Sequence, residues 1–156
     1  MKENQVYITG DGLSKLRVEY DDLVKNKRKE IAERIASARA LGETDEISAE
    51  YEAAREEQSF IEGRILELEE ILKNATIIDH SKNGGKIVEV GSTVTVEINS
   101  NHETYTIVGS VEAEPEKGKI SHESPVGKSL LGLKVGDEVE VTTPTTTLRY
   151  KIKKIS

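Results

Sequence analysis

Between Ile47 and Leu72 the inward-type positions recur at steps of four and three: Ile47, Tyr51, Ala54, Gln58, Ile61, Ile65, Leu68 and Leu72. A stripe held for more than three heptads predicts a long helix packed along one seam against another helix. Upstream, Leu13, Leu16, Tyr20, Leu23, Ile31, Ile35 and Ala38 carry a similar stripe, with Lys27 at one expected core position. No proline occurs before Pro115, so none forces either helix to stop. Thr9 in Ile8-Thr9-Gly10-Asp11-Gly12-Leu13 can cap the first helix, and Ile8 can pack on Leu13 as a hydrophobic staple. Gly42 is a natural C-terminal stop. The short connection makes the two helices antiparallel neighbours. With about 28 residues each they form a finger roughly 40 Å long at 1.5 Å per residue.

The period changes past Asn74. Asp79-His80-Ser81-Lys82-Asn83-Gly84-Gly85 reads as a polar linker, and alternation then replaces the helical stripe. Val94, Val96 and Ile98 alternate with Thr93, Thr95 and Glu97, and Tyr105 and Ile107 with Thr104 and Thr106. Val139 and Val141 mark another strand, and Leu148, Tyr150 and Ile152 the last. Ser124 as cap, Pro125 at the first helical position and Gly132 as stop predict one short helix between them. Lys134-Val135-Gly136-Asp137 is a turn. The fold class is therefore α+β, an N-terminal antiparallel two-helix coiled-coil finger and a C-terminal antiparallel sheet domain with one short helix. The expected domains are residues 1–76 and 77–156.

Composition narrows the function classes. A charged fraction of 33% against 35% hydrophobic suits a two-stranded coiled coil, rich in surface and poor in core. No apolar run approaches a membrane span and no signal-peptide pattern opens the chain. Absence of cysteine excludes disulfides and thiolate metal sites. These features fit a cytoplasmic protein without membrane association, and a monomer is expected. A net charge of −7 argues against nucleic-acid binding by the whole surface, so such contact would be local or made through another protein.

The chemistry concentrates at the turn. Glu43, Asp45 and Glu46 fall within four residues at the end of the finger, which holds them away from its own base and directs them at something else. Lys25, Lys27, Arg28 and Lys29 read as a solvated face rather than a nucleic-acid patch. His80, His102 and His122 lie in polar, loop-like surroundings without metal-ligand spacing, and Gly84-Gly85 lacks the Lys-Ser/Thr follow-up of a phosphate loop. No nucleophile–base pair is apparent.

Several blocks in order resemble the bacterial GreA/GreB family of transcript cleavage factors. They are Ile8-Thr9, Gly12, Lys15-Leu16 and Glu19; Ala49-Glu50-Tyr51, Ala53-Ala54-Arg55-Glu56 and Ile61-Glu62-Gly63-Arg64-Ile65; and Tyr105, Ile107-Val108-Gly109, Ile120-Ser121, Ser124-Pro125-Val126-Gly127 and Leu130-Leu131-Gly132. The resemblance implies an FKBP-like C-terminal domain that docks on RNA polymerase, with Ser121, Ser124, Pro125 and Val126 matching the polymerase-contacting loop. It implies a finger that enters the polymerase's secondary channel. In the family, tip carboxylates there help hold a catalytic Mg²⁺ of the polymerase, which then hydrolyses the displaced RNA 3′ end of a backtracked complex, and the resemblance implies the same here. The chain would have no cofactor of its own and would not be an enzyme by itself. Arg39 and Arg55, within about three turns of the tip, are the expected RNA-proximal cations.

The tip departs from the family's Gly-Asp-Leu-x-Glu-Asn-Ala-Glu-Tyr, because Gly42 to Tyr51 is one residue longer. Counted forward from Gly42, Glu43 takes the Asp place and Glu46 keeps the Glu place; counted back from Tyr51, the two places fall on Thr44 and Ile47. Chemistry favours the forward count. Glu46 is then the dominant ligand, with Glu43 or Asp45 as its partner. Alternative readings are a Gre-like channel occupant that inhibits polymerase, an FKBP-like chaperone or prolyl isomerase, and a structural coiled-coil adaptor.

Overall fold

The computed structural model describes residues 5–42, 44–78 and 84–156. Three segments run on from one another along the first stripe: α1 (Gly10–Asp22), a π-helical stretch (Leu23–Lys27) and α2 (Arg28–Ala40). The second stripe is α3 (Asp45–Asn74), 30 residues and so roughly 45 Å long. Ile31, Ile35, Ala54, Ile61 and Ile65 form its buried seam with α2, flanked by Tyr20, Leu23, Val24 and Tyr51. Burying each of the larger aliphatic side chains contributes about 1.5–3 kcal/mol.

The π stretch accounts for Lys27. From Leu23 the inward positions run 23, 27, 31, 35, three steps of four in succession. In an α-helix each such step overshoots the seam by about 40°. A wider π turn absorbs the excess, keeping Ile31 and Ile35 on the seam while Lys27 is exposed.

Polar pairs lock the two sides. Arg28 forks onto Glu62 with bonds of 2.7 and 2.8 Å, and Arg64 onto Glu19 with bonds of 2.6 and 2.9 Å. Arg34 reaches both Glu50 and Glu57. These side chains are partly to largely exposed, so solvent screens each pair and its chief effect is to fix register. The guanidinium of Arg64 holds the Glu19 carboxyl below the usual range, and that of Arg28 does the same to Glu62.

In the C-terminal part, β3 (Thr93–Ile98), β4 (Asn101–Val108), β5 (Lys119–Ser121), β6 (Glu138–Thr142) and β7 (Thr147–Ile155) form a sheet of order β5-β4-β3-β7-β6. All its pairs are antiparallel except β4–β5. Asn99 and Ser100, with φ of +49° and +68°, make the two-residue turn joining β3 to β4. The expected alternation holds: Val94, Val96, Ile98, Ile107, Val141 and Ile152 are buried, together with Leu130 of α4 (Pro125–Leu130). Tyr105 and Tyr150 stack on each other at 6.4 Å as part of this core.

Two strands outside the main sheet, three residues each, escape a periodicity reading. β1 (Val6–Ile8) and β2 (Ala75–Ile77) pair in parallel, Val6 with Ala75 and Ile8 with Ile77. The chain divides into two units, Leu13–Asn74 and Met1–Gly12 with Ala75–Ser156, so the described residues before Leu13 pack with the C-terminal strands. Gly109 makes that packing possible: a Cβ there would stand 1.6 Å from the Tyr7 carbonyl oxygen. His122, read as an exposed loop histidine, is instead half-buried, edge-on to Tyr7 at 5.4 Å.

Glu112 caps α1. Thr9 Oγ1 accepts from the Gly12 N–H at 3.0 Å, as its cap role predicts. In a capping box the third helical residue would be Glu or Gln and would accept from the Thr9 N–H. Here that residue is Gly12, and Glu112 accepts from the Thr9 N–H at 2.8 Å and from the Thr9 hydroxyl. A Cβ on Gly12 would lie 2.0 Å from the Glu112 carboxylate, so glycine leaves the space it occupies.

Candidate functional site

At the hairpin tip α2 gives way at Leu41 to Gly42, whose φ of +87° is the left-handed geometry of a C-terminal stop. Glu43 lies outside the described residues. Thr44 starts α3: its carbonyl accepts from Ser48 N at 2.8 Å and its hydroxyl from Ile47 N at 3.3 Å. Asp45 and Glu46 are thus the first two helical residues, both exposed. A carboxylate in that turn is favoured by the helix dipole and the free N–H groups. Half-buried Tyr51 packs on the seam, and Ile47 in the first turn is half-buried as well. Thr44 enters the sequence reading only through the count back from Tyr51; its role as the cap of α3 is what the structure adds, and Thr-Asp-Glu ahead of a stripe is the helix-start signal for it.

Arg39 and Arg55 line one shallow groove, with Ala32, Ile35, Ala36, Ala40 and Gln58. Arg39 donates to the Tyr51 hydroxyl at 3.0 Å and lies 5.5 Å from its ring centroid. That bond, with the charges of Arg39 and Arg55, holds the Tyr51 phenol below its usual range. The basic run is occupied locally: Lys25 with Asp21, Lys27 with Glu30, Arg28 with Glu62 and Lys29 with Glu33.

The second predicted cluster is the segment from Ser121 into α4. Ser124 caps α4, accepting from Gly127 N at 3.0 Å and donating to the Ser121 carbonyl at 2.7 Å. Ser121 Oγ shares a hydrogen bond with Ser110 Oγ at 2.9 Å and accepts from Glu123 N at 3.1 Å. Ser110 also donates to Glu123 at 2.6 Å, which holds that carboxyl below its usual range. Gly127 is required, since a Cβ there would lie 2.1 Å from the Ser121 carbonyl oxygen. Val126 packs against the core, while Pro125 and Glu123 are exposed. The loop therefore spends its serine hydroxyls on its own shape and presents Glu123 and Pro125. Nothing in the sequence marks Ser110 as part of it, eleven residues away.

Among the described residues no three of His, Cys, Asp and Glu come together to hold a metal ion, and no helix is long and apolar enough to cross a membrane. Asp45 and Glu46 have the chemistry of a partial Mg²⁺ site, one or two carboxylates that phosphates, waters or another protein would complete.

Residues 6–77 match the family described as transcription elongation factor, N-terminal, and residues 82–156 match transcription elongation factor, GreA/GreB, C-term. The transcription elongation factor GreA of Thermomicrobium roseum is 50% identical over 97% of both chains, and that of Roseiflexus castenholzii 47% identical over 99% of both. The crystal structure of GreA factor homolog 1 of Thermus thermophilus aligns with 97% of this chain and 99% of its own at 28% identity and a TM-score of 0.46. With both family descriptions matched in order over nearly its whole length, the chain belongs to the GreA/GreB family of transcription elongation factors.

Proposed function

We propose that the C-terminal unit docks on bacterial RNA polymerase and that the hairpin enters the secondary channel as a monomer. Its tip carboxylates Glu43, Asp45 and Glu46 then complete a Mg²⁺ site in the polymerase active centre. The polymerase, not this chain, cleaves the displaced RNA 3′ end of a backtracked complex. The observation that carries this reading is the capped tip, where Thr44 orders the start of α3 and leaves Asp45 and Glu46 exposed in its first turn. Bound there, Mg²⁺ would activate water and steady the leaving oxygen. Glu46 and a second tip acid would orient it, and Arg39 and Arg55 would lie beside the extruded RNA. Ser121, Ser124, Pro125 and Val126 would shape the docking loop.

One observation favours a second reading. The turn from Gly42 to Tyr51 is a residue longer than the family's pattern, and a shift of about 1 Å can cost roughly 100-fold in rate. A displaced tip would occupy the channel without stimulating cleavage. A prolyl isomerase lacks comparable support, since Tyr105 and Tyr150 stack in the core.

The test replaces the tip acids singly, as Glu43→Gln, Asp45→Asn and Glu46→Gln, and follows cleavage by halted polymerase at several Mg²⁺ concentrations. Glu46→Gln is expected to raise the Mg²⁺ requirement at least about tenfold while still competing for polymerase. No stimulation by the unmodified protein, with cleavage the same in all three variants while each still competes for polymerase, would support the channel-occupant reading instead.

A further inference from the structure

Phe60 and Leu66 are large apolar side chains of α3 that stand 75% and 66% exposed. Gly63 lies midway between them. At about 100° per residue it falls opposite the buried seam residues Ile61 and Ile65, with Phe60 and Leu66 about 60° to either side. Beyond its chain neighbours and the backbone of its own helix, a Cβ on Gly63 would meet nothing within 4 Å. Packing inside the chain therefore does not call for glycine, although glycine weakens a helix interior relative to alanine. The outcome is an open notch with a bare floor and two apolar walls.

Its surroundings say what enters it. Glu56 and Glu70 stand two turns before and two turns after Gly63, nearly on one line with it, and both are exposed. Neither joins any of the described ion pairs, whereas Glu57, Glu62 and Glu67 each hold an arginine. Two uncompensated carboxylates bracketing the notch repel a phosphate backbone and attract a cation. A basic side chain on another protein meets all of these features at once. Its aliphatic stem would cover Gly63 between Phe60 and Leu66, and its charge would face the Phe60 ring and a flanking carboxylate.

We propose that this notch is a second polymerase contact, distinct from the tip and from the C-terminal loop, and that it receives an arginine or lysine of the protein wall around the inserted hairpin. The proposal rests on the polymerase reading above. Binding to core polymerase without nucleic acid should be measured by competition against a labelled copy of the unmodified protein. Phe60→Ala is expected to weaken binding about tenfold with unchanged helicity, because the ring is exposed. Gly63→Ala should raise the melting temperature yet weaken binding, a split that a merely structural glycine would not give. Replacing Glu56 and Glu70 together by Gln should flatten the salt dependence. Parent-like binding by both Phe60→Ala and Gly63→Ala would overturn the proposal while leaving the polymerase reading intact. Loss seen only with nucleic acid present would also overturn it, and an unmodified protein that does not bind would remove both.

Discussion

At the root of α1 the third helical residue has no carboxylate to close a capping box, and Glu112 reaches Thr9 from 103 residues away. Gly12 and Glu112 therefore act as one device. Gly12→Ala in the unmodified chain should displace the carboxylate and lose much of the cap, offsetting the gain in helix propensity. In a Glu112→Ala background the same change should be stabilising. A double-mutant cycle by denaturant unfolding is expected to show coupling of about 1 kcal/mol, and strict additivity would contradict the arrangement. Gly63→Ala, with open space around it, should stabilise by about 0.5–1 kcal/mol. Both predictions turn on what a Cβ would meet, which spacing along the chain does not reveal: Thr9 was legible as a cap, Glu112 was not.

Among the elements, the π stretch makes the sharpest prediction. Deleting Asn26, whose amide donates only to Asp22, shortens the steps after Leu23 to three, four, four and three, the rhythm of a plain α-helical seam. That deletion should leave helicity and the thermal midpoint close to the parent's. Deleting Ala36, outside the π stretch, should throw Ala38 off the seam and unfold the distal hairpin. Circular dichroism melts of the two variants decide it, and equal damage would mean the π turn does not set the phase. Acid is a second probe of the hairpin. The Glu19 and Glu62 carboxyls are held low by Arg64 and Arg28. Their contribution is thus fully present above the unfolded carboxylate range, near pH 4.3, and is lost as pH falls through the lower folded value. A Glu19→Gln, Glu62→Gln double variant should lose helicity less steeply with falling pH than the parent does. The elements were legible to different degrees for one reason, length. Stripes of 26 residues, Leu13 to Ala38 and Ile47 to Leu72, and alternations of five to nine declare their period, so α2, α3, β3, β4, β6 and β7 stand where spacing put them. Strands of three residues, β1, β2 and β5, hold too few positions to show one.

For the whole molecule, family membership covers both halves of the chain, and the expectation of a helical hairpin joined to an α+β sheet unit holds. The tip was readable in advance because helix stops and starts are local: Gly42 ends one helix, and acids open the next. The loop around Ser121 and Ser124 was readable only in part, since Ser110 joins it through the fold rather than through sequence. On the proposed reading this tip serves a site that it does not itself complete. The most direct test is a three-way comparison in Mg²⁺ of RNA 3′-end cleavage, with purified protein on RNA, halted backtracked polymerase alone, and the two together. No cleavage is expected from the protein alone, slow cleavage from polymerase alone, and marked acceleration in the mixture that is lost with Glu46→Gln. Mg²⁺-dependent cleavage of RNA by the protein without polymerase would contradict that reading.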